Sequence, residues 1–381
     1  MTAKANPNLI TINGSEFTFQ PGETILEVAR RNAIDIPTLC HLKAATPTGA
    51  CRVCLVEVQG ARSLVASCAM PAAPRLVVNT ESPKVVTARR LVIQLLLASG
   101  NHNCLVKDSD GRSFEEYAAR LQRAGGGIEP CPVWGDCRLQ ELAWRYGMTG
   151  GRFSPTPVRY PLEDVNPFIV RDFARCILCG RCVQACNEVQ VNQAIHFGYR
   201  GARSKIIAAG DRPYRDSDCV FCGECVQVCP VGALVEKDAR GKVWPGDIQK
   251  SVRTTCTYCG VGCQTELHIK GNGVVKITGV EGVAPNYGSL CVKGRFGYGF
   301  IGSPERLKTP LIREKDGFRE ATWEEALDLV ARRLGEIKAA DGPDSIGVLT
   351  SARITNEENY IAQKFTRAVL QTNNIDHCAR L

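Results

Sequence analysis

The sequence lacks any long hydrophobic run. Among its 381 residues, no stretch approaches the roughly 18 uninterrupted apolar residues of a membrane-spanning helix, so we do not expect an integral membrane protein. The first residues contain no apolar segment of the kind found in secretory signals, and we therefore expect a cytoplasmic protein. Arg89-Arg90 precedes an apolar stretch as in a twin-arginine signal, but it lies far inside the chain and is interpreted as part of a helix. The sequence also contains no P-loop and no hydrolytic triad.

Cysteine, by contrast, is plentiful. The chain has 20 cysteines in 381 residues, a lower share than the roughly 8–10% of a small disulfide scaffold. In a protein without a secretory signal the thiols are expected to stay reduced, and clustered cysteines then indicate metal binding.

The hydrophobic pattern predicts a multidomain α+β protein. Asn13-Gly14 lies between two short alternating runs and predicts a two-residue β-hairpin, and Thr24 is placed to cap the next helix. After Trp323 the predicted order is helix, buried strand, helix, which is typical of the start of an α/β domain. Helices are predicted over residues 25–33, 83–99, 111–123, 324–339 and 356–370, and strands over residues 52–58, 76–79 and 345–349.

Spacing divides all but one of the cysteines, together with one histidine, into five sets of four. The sets are Cys40, Cys51, Cys54 and Cys68; His102, Cys104, Cys131 and Cys137; Cys176, Cys179, Cys182 and Cys186; Cys219, Cys222, Cys225 and Cys229; and Cys256, Cys259, Cys263 and Cys291. Only Cys378 is left over, and a division this complete argues against accidental spacing.

The first two sets each leave two interpretations open. The first set has a C-x2-C pair with one outlying cysteine on each side, in a hairpin–helix–strand setting that favours a 2Fe–2S cluster over structural zinc. The second set joins an imidazole to three thiolates, which is a complete ligand set for a 4Fe–4S cluster. Zinc is also a competitor there.

The third and fourth sets are two copies of the string C-x2-C-x2-C-x3-C. In this arrangement the fourth cysteine of each string ligates the other string's cluster, so Cys186 is expected beside the second string and Cys229 beside the first. The fifth set predicts one more 4Fe–4S cluster. Lys293, two residues after Cys291, is either a solvated charge or a bridge from that cluster to a second anionic cofactor.

Five such clusters also account for the basic composition. The formal net charge is +8, whereas a four-thiolate cluster carries roughly −2 and a cluster with one imidazole ligand roughly −1. The loaded protein would have a net charge of roughly −1, and no nucleic-acid partner is expected.

The order of these motifs resembles that of the alpha subunit of soluble NAD-dependent molybdenum formate dehydrogenases. The first part is similar to cluster-carrying subunits of respiratory complex I and of hydrogenases, and residues 256–263 and 289–295 resemble the opening of the molybdopterin oxidoreductases. The resemblance implies a β-grasp 2Fe–2S ferredoxin-type domain (6–82), a helical His/Cys3 cluster domain (83–148), a linker (149–166), a two-cubane ferredoxin-type domain (167–240), a further 4Fe–4S domain (249–305) and the start of an α/β molybdopterin oxidoreductase domain (306–381).

The resemblance also implies cofactors, partners and a reaction. The cofactors are one 2Fe–2S cluster, four 4Fe–4S clusters and a molybdenum or tungsten bis-molybdopterin guanine dinucleotide, with Lys293 between the fifth cluster and the pterin. Electrons from formate would pass through the clusters to a flavin- and NAD-binding diaphorase-type subunit and a small 2Fe–2S subunit. Residues 355–360 resemble a segment near the active centre of this family.

The sequence departs from the family pattern in two places. An insertion separates Cys104 from Cys131 within the histidine-containing motif. Residues 373–381 resemble the stretch just before the metal-ligating cysteine or selenocysteine, so Cys378 is not expected to bind the metal and the 381-residue chain is expected to lack catalytic residues. Two alternatives are a complex I-type subunit with a vestigial pterin domain and a zinc-binding structural protein.

Overall fold

A computed structural model describes residues 8–102, 104, 114–124, 130–148, 152–154 and 159–378. The chain divides into two compact units, residues 1–248 and 249–381. The mixed α/β class predicted from the sequence is confirmed, with short strands and helices in both units. No helix in the described residues has the length and apolar character needed to span a membrane.

The first unit begins with a five-stranded sheet covered by one helix. Its strands lie in the order β2-β1-β5-β3-β4, with β1 antiparallel to β2 and parallel to β5. The elements are β1 (Leu9–Ile12), β2 (Ser15–Thr18), α1 (Ile25–Arg31), β3 (Leu55–Val58), β4 (Val65–Ala66) and β5 (Val77–Asn79). The predicted hairpin is present, and the Thr24 side chain accepts a hydrogen bond from the backbone N–H of Glu27 in a capping box.

The remainder of the first unit is built from short elements joined by long loops. They are α2 (Pro83–Leu97), α3 (Phe114–Ala124), α4 (Arg138–Arg145), β6 (Ile169–Arg171), α5 (Arg181–Gln184), β7 (Ile195–Gly198), β8 (Lys205–Ala208), α6 (Glu224–Val228) and β9 (Leu234–Glu236). β6 pairs with β9 and β7 pairs with β8, both antiparallel.

Arg89 of the apparent twin-arginine pair is a structural residue of helix α2. Its side chain is fully buried. The guanidinium pairs with Glu81 and donates hydrogen bonds to the carbonyl of Leu55 at 2.7 Å and to the hydroxyl of Tyr146 at 2.9 Å. It therefore joins the sheet, helix α2 and the end of helix α4.

The second unit contains a three-stranded antiparallel sheet, one further hairpin and a parallel strand pair with helices. The elements are β10 (Lys250–Thr255), β11 (Gln264–Lys270), β12 (Gly273–Gly279), α7 (Val292–Phe296), β13 (Leu311–Glu314), β14 (Gly317–Glu320), α8 (Trp323–Asp341), β15 (Val348–Thr350), α9 (Asn356–Lys364) and β16 (Ile375–His377). β15 and β16 are parallel, the pairing expected in an α/β domain.

Three predicted elements differ from those observed. Strand 52–58 begins only at Leu55, because Arg52 has a positive φ of 58° in a loop that presents cysteines. The strand predicted over residues 345–349 lies at Val348–Thr350, and the prediction that it is buried is wrong, since Leu349 is 87% exposed. The predicted helix 356–370 is α-helical to Lys364 and continues as a π-helical turn, Phe365–Leu370.

Candidate metal centres

The structure brings the first cysteine set together in the loops that flank β3 and β4. The Sγ atoms of Cys54 and Cys68 are 3.3 Å apart, and the backbone N–H of Cys51 donates to Sγ of Cys40 at 3.5 Å. Cys40, Cys54 and Cys68 are at most 1% exposed. Cys51 is partly exposed, and none of the four forms a disulfide bond; thiol sulfurs of this kind are chemically suited to iron.

Contacts among these sulfurs also set their protonation. The contact with Cys51 lowers the pKa of Cys40, and the contact with Cys68 lowers the pKa of Cys54. The pKa values of Cys51 and Cys68 are raised, chiefly because their thiols donate to Cys40. A cation bound by these sulfurs would compensate the negative charge of their deprotonated form.

The second set lies beside an aromatic cluster. The rings of Tyr117 and Trp134 are stacked with centroids 4.1 Å apart, and the Tyr117 hydroxyl accepts a 2.7 Å hydrogen bond from the backbone N–H of Cys131. Burial raises the pKa of Cys104 to about 11. Burial, with a smaller contribution from the charge of Cys104, raises the pKa of Cys137, as expected for sulfurs that share one apolar site.

His102, the histidine of the second set, has a neutral ring with one nitrogen that is unpartnered within the described part of the chain. Burial, with a smaller contribution from Arg175, lowers its pKa to about 4, so the imidazole is neutral at pH 7. Its Nε2 atom is buried and has no hydrogen-bond partner among the described residues. A buried polar nitrogen is rarely left in this state, and a lone pair on Nε2 fits metal coordination.

The two cysteine strings fold as structural repeats. The residue before the second cysteine has a positive φ in both copies, 52° at Leu178 and 54° at Phe221. The glycine after that cysteine is left-handed in both, with φ of 79° at Gly180 and 72° at Gly223, and a short helix follows. Glycine adopts this conformation without a steric penalty, so the loop turns sharply and presents its sulfurs inward.

Two neighbouring cavities collect the eight cysteines of these strings. One cavity, of about 490 Å³, is lined by Cys176, Cys179, Cys182 and Cys229. The other, of about 340 Å³, is lined by Cys186, Cys219, Cys222 and Cys225. Each cavity thus receives three cysteines from one string and the last cysteine of the other. Burial raises the pKa values of Cys182 and Cys225 well above the ordinary range, so deprotonation there requires compensating positive charge.

The fifth set lies in the second unit. Cys256, Cys259 and Cys263 occupy the loop between β10 and β11, and Cys291 precedes α7. The backbone N–H of Cys256 donates to the carbonyl of Cys263 at 2.8 Å. Burial raises the pKa of Cys256, while the positive charge of Lys293 acts in the opposite direction. Lys293 therefore lies within electrostatic reach of this set.

A large cavity adjoins the fifth set within the second unit. Its volume is about 1150 Å³, and its lining includes Cys259, Gly260, Asn356, Asn359 and His377. Asn356 Nδ2 donates to the carbonyl of Gly260 at 2.7 Å, which connects helix α9 to the cysteine loop. Residues far apart in sequence line this cavity. In the sequence, the cavity is indicated only by residues 355–360, which resemble a segment near the active centre of the family.

Cys378 is exposed, and its Sγ lies 3.6 Å from the hydroxyl of Ser351. Within the described part of the chain, no three His, Cys, Asp or Glu side chains converge closely enough to hold a single metal ion.

Models of four domain families match the chain: 2Fe-2S iron-sulfur cluster binding domain (residues 7–83), 4Fe-4S dicluster domain (175–233), molybdopterin oxidoreductase Fe4S4 domain (249–303) and molybdopterin oxidoreductase (306–381). The fold and the matches define an iron–sulfur protein with 2Fe–2S and 4Fe–4S domains. More particularly, residues 249–303 and 306–381 match the two molybdopterin oxidoreductase domain families, so the resemblance to the opening of the molybdopterin oxidoreductases is confirmed.

Curated relatives match almost the whole chain. The Bacillus subtilis protein named "Putative formate dehydrogenase YrhE" is 35% identical over 97% of this chain and 39% of its own length. The NADPH-Fe(3+) oxidoreductase subunit alpha of Geobacter sulfurreducens is 34% identical over 98% of this chain and 40% of its own length. The chain thus spans about two fifths of these relatives. Among solved structures, an NAD+-reducing NiFe hydrogenase aligns over 62% of this chain and 90% of its own, with a TM-score of 0.48 and 32% identity.

Proposed function

We propose that this chain is the iron–sulfur electron-transfer part of an NAD-dependent formate dehydrogenase alpha subunit. It would relay electrons from formate oxidation at a molybdopterin centre to a flavin- and NAD-binding partner subunit. The observation that carries the proposal is the exchange of cysteines between the two strings. Each of two adjacent cavities is lined by four cysteines, one of them from the other string, as the two-cluster ferredoxin arrangement requires.

The residues present fit the cofactors assigned to them. Cys40, Cys51, Cys54 and Cys68 would hold a 2Fe–2S cluster, and the other four sets would each hold a 4Fe–4S cluster, one of them through His102. The orphaned Nε2 of His102 and the close sulfurs of the first set support these assignments. When bound, such clusters accept and release single electrons at potentials set by their surroundings.

The protein's contribution in this scheme is burial, charge and shape. Eight of the 15 assigned cysteines of the first unit are buried and the other seven are partly exposed. At the buried sulfurs the electrostatic influence of nearby groups is strong. The repeated left-handed loops give both cysteine strings the same local backbone geometry.

Lys293 and the 1150 Å³ cavity support a molybdopterin site in the second unit. The cavity borders Cys259 of the fifth set, and the charge of Lys293 reaches Cys256. A molybdenum or tungsten bis-molybdopterin guanine dinucleotide bears pyrophosphate charge, so a lysine between it and an anionic cluster would stabilise both. Its metal ligand is not among the residues assigned here.

The partner assignment is supported by a relative. The Geobacter sulfurreducens protein is named as an alpha subunit of an NADPH-Fe(3+) oxidoreductase, and such a name implies further subunits and a nicotinamide nucleotide. We propose a diaphorase-type flavin subunit and a small 2Fe–2S subunit as the partners here, in the cytoplasm. The same relative favours a second candidate, an oxidoreductase that takes electrons from a nicotinamide nucleotide and does not use formate.

Anaerobic reduction of the full-length protein with its natural partners distinguishes these candidates. We expect formate to reduce the clusters, seen as new electron paramagnetic resonance (EPR) signals at low temperature, and NAD+ to reoxidise them. Reduction by NADH or NADPH but not by formate would contradict the formate dehydrogenase proposal and favour the second candidate.

A further inference from the structure

Tyr214 lies between the two cavities that collect the cysteine strings. It is 1% exposed, and it lines both the cavity of Cys176 and the cavity of Cys186. Its charge neighbours include Cys225 from one cavity and Cys182 from the other. One phenol is therefore in position to influence both candidate clusters.

The Tyr214 ring packs against a buried cation. The Arg171 guanidinium carbon lies 3.8 Å from the ring centroid, and Arg171 is 3% exposed. Its guanidinium donates to Glu163 through Nε at 2.8 Å and to the carbonyl of Ile206 at 3.3 Å. The contact is a cation–π interaction in a dry site, where such contacts are strongest. Arg171 also lines the first cavity, so its charge acts close to the candidate cluster.

Glu163 compensates part of that charge. Its carboxylate is only 15% exposed and forms an ion pair with Arg171. It lies in the segment predicted as a linker, yet residues 163 and 171 also form an antiparallel bridge through reciprocal 2.9 Å backbone hydrogen bonds. This carboxylate therefore has a fixed position near the cavity.

The Tyr214 hydroxyl has a proton to donate and no acceptor for it among the described residues. A tyrosine phenol keeps its proton at neutral pH. A buried hydroxyl without an acceptor is uncommon, and Tyr214 lines the two cysteine cavities.

We propose that Tyr214 and Arg171 are positioning residues that raise the reduction potentials of the paired 4Fe–4S clusters. Tyr214 would act as a hydrogen-bond donor to cluster sulfur and Arg171 as a nearby positive charge, with Glu163 limiting the effect. Donors and positive charge stabilise the more negative, reduced state. The inference rests on the proposed function, because it requires clusters in both cavities.

Two conservative variants of the full-length protein give shifts of opposite sign. Tyr214→Phe removes the donor and keeps the ring, so the ratio of reduced to oxidised cluster at a fixed ambient potential should fall by about three- to tenfold. A tenfold change corresponds to 59 mV for a one-electron couple. Glu163→Gln keeps a hydrogen-bond acceptor for Arg171 but removes the negative charge, so the same ratio should rise.

The control is Tyr199→Phe. Tyr199 is 54% exposed and its hydroxyl donates to Asp211 at 2.7 Å, so it offers the same chemical deletion away from both cavities. Redox titration monitored by EPR should show wild-type potentials in this variant. Iron and acid-labile sulfide are quantified in every sample to verify cluster content.

The possible outcomes separate the inference from the proposed function. A wild-type protein without paired cubane signals contradicts the proposed function itself. Intact cubanes whose potentials are unchanged in Tyr214→Phe, or that shift in the same direction in Tyr214→Phe and Glu163→Gln, overturn the tuning role. Loss of iron in Tyr214→Phe would also overturn it, since Tyr214 would then act in packing alone.

Discussion

Cys186 offers the sharpest test of how the two strings share their ligands. By sequence it is the fourth cysteine of the first string, but it lines the cavity of Cys219, Cys222 and Cys225. Cys186→Ala should therefore damage the cluster in the second string's cavity and spare the other. The loss should be between about one and four of roughly 18 iron atoms per chain, depending on whether an incomplete cluster persists on three thiolates.

Double variants test this prediction by iron loss alone, so EPR signals need not be assigned to individual clusters. If Cys186 and Cys219 serve one cluster, Cys186→Ala combined with Cys219→Ala should lose little more iron than the more severe single variant. If Cys186 and Cys179 serve different clusters, their combination should lose the sum of the two single losses. The assay is iron and acid-labile sulfide per chain on anaerobically purified full-length protein, with EPR of the reduced state.

A matched control is available in the same chain. Cys378 belongs to none of the five sets and is exposed, so Cys378→Ala should retain the wild-type iron content. Additive loss for Cys186 with Cys219, or non-additive loss for Cys186 with Cys179, would refute the ligand exchange inferred from the cavities.

Three other variants test the remaining parts of the account. Arg89→Met leaves the Leu55 carbonyl and the Tyr146 hydroxyl without their donor, so the free energy of unfolding of the first unit should fall by about 2–3 kcal/mol. A loss of less than about 1 kcal/mol in a urea titration would contradict this structural role of Arg89. His102→Cys replaces imidazole by thiolate, so the cluster of the second set should keep its iron but have a lower reduction potential. Unchanged reduction potentials in a redox titration monitored by EPR would exclude His102 as a ligand. Gly260→Ala places a Cβ 2.6 Å from Oδ1 of Asn356, whereas the Cβ of the control Gly302→Ala meets nothing within 4 Å. The amount of bound molybdopterin should fall only in Gly260→Ala. Equal molybdopterin contents in the two variants would show that the Asn356 contact is unimportant.

The sequence pattern was informative wherever the chemistry is local. Repeated spacing predicted two similar loops, and the backbone repeats at Leu178 and Phe221 have matching positive φ values. Asn13-Gly14 and the Thr24 cap predicted a hairpin and a helix start that the structure confirms. These features depend on neighbours within a few residues, which a linear pattern records directly.

Features that depend on distant contacts were not predictable in the same way. Tyr214 lies between two cavities whose linings come from β6, β9 and both cysteine strings, and no local pattern marks that position. Leu349 was expected to be buried because its strand is apolar, but burial depends on what covers the strand, and Leu349 is 87% exposed. The 1150 Å³ cavity likewise joins a cysteine loop to helix α9 across about one hundred residues of chain.

The most direct test of the central claim is the metal content of the anaerobically purified full-length protein. Twenty ligands arranged as one 2Fe–2S and four 4Fe–4S sites predict that these sites hold about 18 iron atoms and about 18 acid-labile sulfides. Zinc in place of iron, with no acid-labile sulfide, would contradict the account.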